Sequence, residues 1–307
     1  MTALSTPQRE QQRLDEPRRD QPRADSSRRR LVTDRQRGER ARIWAGVIVC
    51  ILFLLPLLWM LLTSFKEQRD IFTTPPTIFF EPTLDQYFWA FDRGDLGPKL
   101  INTIIVALGA GVLSLFAGAM AGYALARLKI TGAATIGVLI LVSRGVPPIA
   151  LAVPMFLVAR TLGITDTHIT LILAYCSFVI PYVMWLMRGF FLALPKELEE
   201  SAMLDGCSRM GAFFRIIVPI SAPGLISTFI FSIILAWEEL LFALVLTNRN
   251  ATTIPVAIAG MAGDTENGAN WGALAAAGMV TVVPVVILAL IVQKWLIRGL
   301  ADGATKG

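Results

Sequence analysis

Histidine occurs once in the 307 residues, at His168, so a His-rich metal centre is excluded. The three cysteines are scattered, Cys50 and Cys176 in apolar runs and Cys207 in a polar stretch. They form neither zinc-ligand spacing nor a disulfide framework. Each reads as a small apolar filler. No glycine is followed directly by lysine, so the Gly-x-x-x-x-Gly-Lys-Ser/Thr loop that cradles nucleotide phosphates is absent. Nothing converges at a spacing suited to hydrolytic catalysis. The reading is therefore a non-catalytic chain with no catalytic residues, no metal and no cofactor of its own. Charge is scarce as well: 17% of residues are charged, 54% are apolar, and mean hydropathy is +0.60. Soluble chains carry about a quarter charged residues. Long charge-free apolar runs make this an all-α polytopic membrane protein.

The charge that exists is unevenly placed. Residues 1–42 hold twelve arginines and seven acidic residues, and 43–307 balance to zero. The whole net charge of +5 thus lies in the N-terminal arm. That arm is rich in Pro, Gln and Ser and poor in apolar residues, so it is expected to be disordered. Mixed acidic residues and missing aromatics argue against nucleic acid as its partner. A cytoplasmic arm that sets topology and touches anionic lipid fits better. It is too long to be a signal peptide, and the apolar run behind it lacks a small-residue cleavage pattern.

A bilayer core of about 30 Å needs about 20 apolar helical residues. Six segments qualify: 43–63, 100–126, 133–159, 169–187, 224–246 and 273–295. An even count puts both termini on one side. That side carries 21 Lys and Arg and the other six, with Arg144 inside a span. The positive-inside rule places the arm, 127–132, 188–223 and the C-terminus in the cytoplasm. Gly118 and Gly122 form a small-xxx-small pair that marks 100–126 as an interior helix. Prolines 56, 147, 148, 154, 181 and 284 fall within spans, where they can kink helices.

The 188–223 loop is the most informative stretch. Pro195 starts a helix, and Glu197, Glu199 and Glu200 crowd the first turn, where the dipole favours anions. Leu198, Ala202 and Met203 share an apolar side. Gly206 supplies a left-handed end. A short amphipathic helix over about 196–205 results. Its polar face is acidic, whereas a helix lying on lipid is usually basic there. It suits docking to a protein.

Glu200-Ser201-Ala202-Met203-Leu204-Asp205-Gly206, followed by Phe213, Ile216 and Pro219, resembles the EAA loop of binding-protein-dependent ABC importer permeases. Ser201 replaces the usual central Ala and Val218 the usual Leu. The resemblance spans roughly 43–307 and implies the type I importer permease fold. In that family the helix couples to an ATPase, so Glu199, Glu200, Ser201, Ala202, Met203, Leu204, Asp205, Gly206, Phe213 and Pro219 become the coupling set. Ala236-Trp237-Glu238-Glu239-Leu240-Leu241-Phe242, Ile254-Pro255-Val256 and the ending Arg298–Gly307 are similar to the carbohydrate-uptake subfamily, most of all to its maltose-permease G-type half. The resemblance implies a second homologous permease chain, an ABC ATPase dimer carrying ATP and Mg, and an extracytoplasmic sugar-binding protein or lipoprotein. It also implies a bacterial or archaeal inner membrane.

Charged groups within a membrane span must face water or a partner. Trp237 with Glu238 or Glu239 is one candidate substrate pathway. Adjacent helical positions diverge by about 100°, so the two carboxylates cannot share a direction. An Arg144–Glu pair or a subunit contact is the competing reading. Asn102 matches a polar family position, but capping explains it equally. His168 reads as interfacial. Tyr87, Phe88, Trp89 and Phe91 read as an interfacial belt, with a docking surface as the alternative. An ion-coupled transporter using Glu238 or Glu239 as proton carrier remains the rival function.

Overall fold

The structure, a computed structural model, describes residues 23–262 and 270–304, with side chains from 42 to 262 and from 270 to 294. Residues 1–22 of the expected disordered arm and 305–307 of the family-like ending lie outside the described residues, as do the side chains of 298–304. The described residues are all-helical apart from turns and connections. The chain divides into two units, Met1–Trp59 and Met60–Gly307.

In the first unit the described residues belong to α1 (Arg23–Ser64), whose last turn lies in the second. Residues 23–42 were expected to lack regular structure, and they are helical. No proline occurs between Pro22 and Pro56. Opposite charges stand four apart at Asp25/Arg29, Arg30/Asp34 and Arg35/Glu39, a spacing that supports helix, as do Arg, Ala and Gln themselves. Arg42–Ser64 is long and apolar enough to cross a membrane.

The second unit begins with short α2 (Gln68–Ile71) and α3 (Asp85–Asp92) in the connection after α1. Tyr87 on α3 shares a hydrogen bond of 2.9 Å with Ser64, while Phe88 and Phe91 are exposed. Three more spanning helices follow: α4 (Leu96–Arg127), α7 (His168–Ala193) and α14 (Trp271–Ala304, its candidate span ending at Lys294). Two bent pairs bring the total to as many as six spans.

The first bent pair is α5 (Ala133–Val142) with its 3₁₀ extension to Gly145, and α6 (Pro148–Thr161), meeting at 87°. The sequence reading drew 133–159 as one helix. Pro147 and Pro148 withhold two amide donors, and Val146, restricted by the proline after it, is extended at ψ 124°. The second pair is 209–220, made of α9 (Arg209–Ala212), a π turn (Phe213–Ile217) and α10 (Val218–Ile220), followed by α11 (Ala222–Trp237) at 79°. The expected span 224–246 is also interrupted. Helix α11 stops at Trp237, and α12 (Leu241–Leu246) begins after three non-helical residues. Glu239 causes the restart: its Oε1 accepts from the amides of Leu241 and Phe242 at 2.8 and 3.0 Å. A last short helix, α13 (Ile254–Ala262), precedes α14.

Helices α4 and α7 run side by side in the same direction, and glycine sets their distance. A Cβ at Gly118 would lie 2.6 Å from Val183 Cγ1 and 3.0 Å from the Met184 amide nitrogen. One at Gly122 would lie 2.8 Å from the Met184 carbonyl oxygen and 2.9 Å from the Arg188 amide nitrogen. Backbones this close gain dispersion contact along the whole pair. Two buried clusters sit on this pair, one around Tyr175, Trp237 and Phe242, the other around Tyr123, Phe191 and Phe213. Asn102 and Tyr123 are 21 residues apart on α4, about 30 Å of helix, so these two residues mark opposite ends of that helix, and the two clusters follow one another between them.

Candidate functional site

Between α7 and the first half of the second bent pair lies α8 (Glu197–Leu204), within one residue at either end of the helix read from the sequence. Three glutamates occupy its first turn. Its end is a Schellman cap. Gly206, at φ +87°, donates to the Met203 carbonyl at 3.2 Å, and Cys207 donates to the Ala202 carbonyl at 3.0 Å. A Cβ at Gly206 would meet nothing within 4 Å, so the demand for glycine there is one of backbone conformation.

Helix α8 has two unlike sides. Ala202 and Glu199 are buried, and Met203 is half-buried. Glu200, Ser201, Asp205 and Gly206 are exposed, and Leu204 is 89% exposed. An apolar side chain thus stands at the tip of an otherwise polar surface. Ser201 donates back to the Glu197 carbonyl at 2.6 Å and adds no outward hydroxyl hydrogen.

Glu199 was grouped by sequence with the outward residues, and the structure turns it inward to 5% exposure. The Tyr123 hydroxyl donates to its Oε1 at 2.6 Å. Arg127 Nε is 3.8 Å from Oε2, and Arg209 Nε is 4.0 Å from Oε1. Arg127 also donates through Nη2 to the Leu194 carbonyl at 2.8 Å. A lone carboxylate taken this far from water would be strongly disfavoured, and two guanidiniums plus a phenol compensate it. The Tyr123 ring lies 4.5 Å from Phe213 and stands edge-on to Phe191 at 5.9 Å, centroid to centroid. Phe213 is therefore an internal packing residue, whereas Pro219 is exposed just before the 79° bend. The sequence reading did not single out Tyr123 or Arg127. Their i, i+4 spacing at the end of a glycine-rich span was the available signal.

At the other end of the bundle the candidate pathway residues separate. Trp237 is 4% exposed inside the chain's own core, and its Nε1 has no hydrogen-bond partner among the described residues. Glu239 is held by its cap, and its carbonyl accepts from the Tyr175 hydroxyl at 3.3 Å. Glu238 is exposed. Arg144 forms no ion pair among the described residues and lies over the Tyr182 ring, 5.0 Å from its centroid. Asn102 is buried, bonded to His168 and to the stretch after α12. His168, read as interfacial, is part of that network. The structure therefore does not gather Trp237, Glu239 and Asn102 around one opening. A cavity of about 350 Å³ between α4 and α11 is lined by apolar side chains such as Leu115, Phe116, Met120, Val218 and Phe229. It has no polar group to orient a hydroxylated ligand.

Asp166, which the sequence did not flag, ties the loops at this end. Its carboxylate accepts from the backbone amides of Asn248, Arg249, Asn250 and Ala251 at 2.9–3.3 Å. Burial by itself would raise its pKa, and the four amide donors outweigh that and hold it below the ordinary carboxylate value. Among the described residues no group of three or more His, Cys, Asp or Glu could hold a metal ion.

Residues 114–302 match the family described as binding-protein-dependent transport system inner membrane component. The trehalose transport system permease protein SugB of Mycobacterium tuberculosis is 38% identical over 277 residues, covering 88% of this chain and 99% of that protein. The trehalose/maltose transport system permease protein MalG of Thermococcus litoralis is 34% identical, covering 86% and 96%. A crystallised bacterial ABC transporter involved in import of the acidic polysaccharide alginate has a chain of the same fold, with TM-score 0.68 and 23% identity over 85% of this chain and 97% of that one. The chain accordingly belongs to the binding-protein-dependent transport system inner membrane components, the non-catalytic, multi-pass permease subunits of ABC transporters.

Proposed function

We propose that this chain is one of two homologous membrane-spanning halves of a carbohydrate importer, coupled to its ATPase through α8. The observation that carries the reading is the outward face of α8, where Leu204 stands exposed between Glu200, Ser201 and Asp205 on a helix otherwise fastened to the bundle. The acidic groups around that leucine suit contact with a protein, since a helix lying on lipid is usually basic on its polar face. ATP and Mg would be held by the ATPase dimer beneath, because this chain has no phosphate-binding loop. Both termini would face the cytoplasm, the side favoured by the excess of basic residues. A solute-binding protein or lipoprotein would dock on the far side and deliver sugar. ATP-driven closure would press α8 and switch the bundle between inward-open and outward-open states.

The carbohydrate assignment draws on relatives whose names specify trehalose, trehalose/maltose and diacetylchitobiose transport. The rival ion-coupled mechanism needs a free acidic carrier. Glu239 is committed to capping α12, which leaves Glu238 alone to serve it. The test is to replace Glu200 and Gly206 together in the intact complex. Uptake should be abolished while the protein stays in the membrane, and unaltered uptake would refute the coupling role.

A further inference from the structure

The buried Glu199, with Tyr123 and Arg127, carries an inference about how force would travel, and it rests on α8 being the ATPase contact. We propose that Tyr123 and Arg127 are positioning residues that lock α8 to α4, so that α8, α4 and α7 move as one rigid lever. Three observations support this. First, α4 and α7 approach so closely at Gly118 and Gly122 that no Cβ fits between them, and the two helices pack side by side along their length. Second, Glu199 is the one charged side chain of α8 that points inward, and it meets Tyr123 directly. Third, Arg127 binds both Glu199 and the Leu194 carbonyl, so the last turn of α4 holds the connector between α7 and α8 as well as α8 itself. That connector is only residues 194–196. The helical path breaks on the other side of α8: Phe213 and Ile217 of the π turn are packed in the core, and the 79° bend lies between them and α11. A push on Leu204 would therefore displace α4 and α7 together while α11 swings at the bend.

The geometry assigns separate work to each group. The phenol fixes the carboxylate's direction, and the Arg127 guanidinium joins the carboxylate to the connector. Arg209 reaches Glu199 from α9 but is half exposed and holds no second anchor in this network.

The experiment uses the whole transporter reconstituted in lipid, with Cys50, Cys176 and Cys207 of this chain replaced by alanine. Spin labels on Glu197→Cys and Leu113→Cys, both exposed and neither in the coupling set, report the distance from α8 to α4. In the otherwise native lever this distance should stay the same when a non-hydrolysable ATP analogue with Mg is added. In Tyr123→Phe, which keeps the ring and removes the hydroxyl, and in Glu199→Gln, which removes the ion pairs, the distance should shift with nucleotide. A nucleotide-dependent shift in the native lever, or none in both variants, overturns the proposal. A separate cross-link from Leu204→Cys to the ATPase tests the reading underneath. If it fails to form, α8 is not the contact; if it forms and the lever is not rigid, only the present inference falls.

Discussion

Asn102 Oδ1 lies 2.7 Å from His168 Nε2, and the Asn102 amide nitrogen donates to the carbonyls of Asn250 and Thr252 at 2.9 and 3.0 Å. Because both amide hydrogens go to carbonyls, Oδ1 is the acceptor and His168 carries its proton on Nε2. One side chain thus joins the start of α4, the start of α7 and the stretch following α12. It has no donor left over for a transported ligand.

Replacing Asn102 by alanine should strand two carbonyls and the imidazole N–H. A loss of about 1–3 kcal/mol of stability is expected, read as a lower thermal midpoint in detergent. Competition between different sugars for uptake should be unaffected. A variant of normal stability with altered sugar preference would restore a substrate-contact role.

Glu238 and Glu239 should separate on truncation. Glu239→Ala removes the acceptor for two amides at the start of α12 and should cost about 1–2 kcal/mol, the range for a lost helix cap. Glu238→Ala should alter the stability of the isolated subunit by less than about 0.5 kcal/mol, as for other exposed substitutions. Thermal unfolding of the two variants side by side decides this, and equal losses would contradict the different environments of the two carboxylates.

Asp166 makes a prediction about acid. Its pKa is lowered on folding, so its contribution is complete above the ordinary carboxylate value, near pH 4, and disappears as pH falls through the folded value. The difference in thermal midpoint between the native chain and Asp166→Asn should be constant from about pH 5 to 7 and shrink below about pH 4. A difference that grows on acidification would reverse the sign of the linkage.

What was legible in the sequence was mostly local. Pro195, the glutamates at 197, 199 and 200, and Gly206 fixed α8 because starting, charging and ending a helix involve only neighbouring residues. Gly118 and Gly122 announced a close approach, though not that Val183 and Met184 would be the neighbours. Pro147 and Pro148 announced a disturbance, yet its angle depends on the packing around α5 and α6. Leu198, Ala202 and Met203 gave the apolar side of α8, but a helix of eight residues did not say which carboxylate beside that stripe turns inward. Glu199 lies inside because Arg127 and Arg209 arrive from elsewhere. Glu239 and Trp237 were read as one continuous turn of helix, and the cap that separates them is set by a side chain folding back on its own backbone.

The elbow at Val146–Pro148 has a consequence for the subunit on its own. Hydrocarbon offers no donor to replace those that two successive prolines withhold, so backbone of this kind persists at membrane depth only against protein or enclosed water. Residues 144–148 are exposed on the isolated chain. In an isolated subunit that corner would have neither protein nor enclosed water against it, so a stable place for it in the membrane calls for a neighbour on that side.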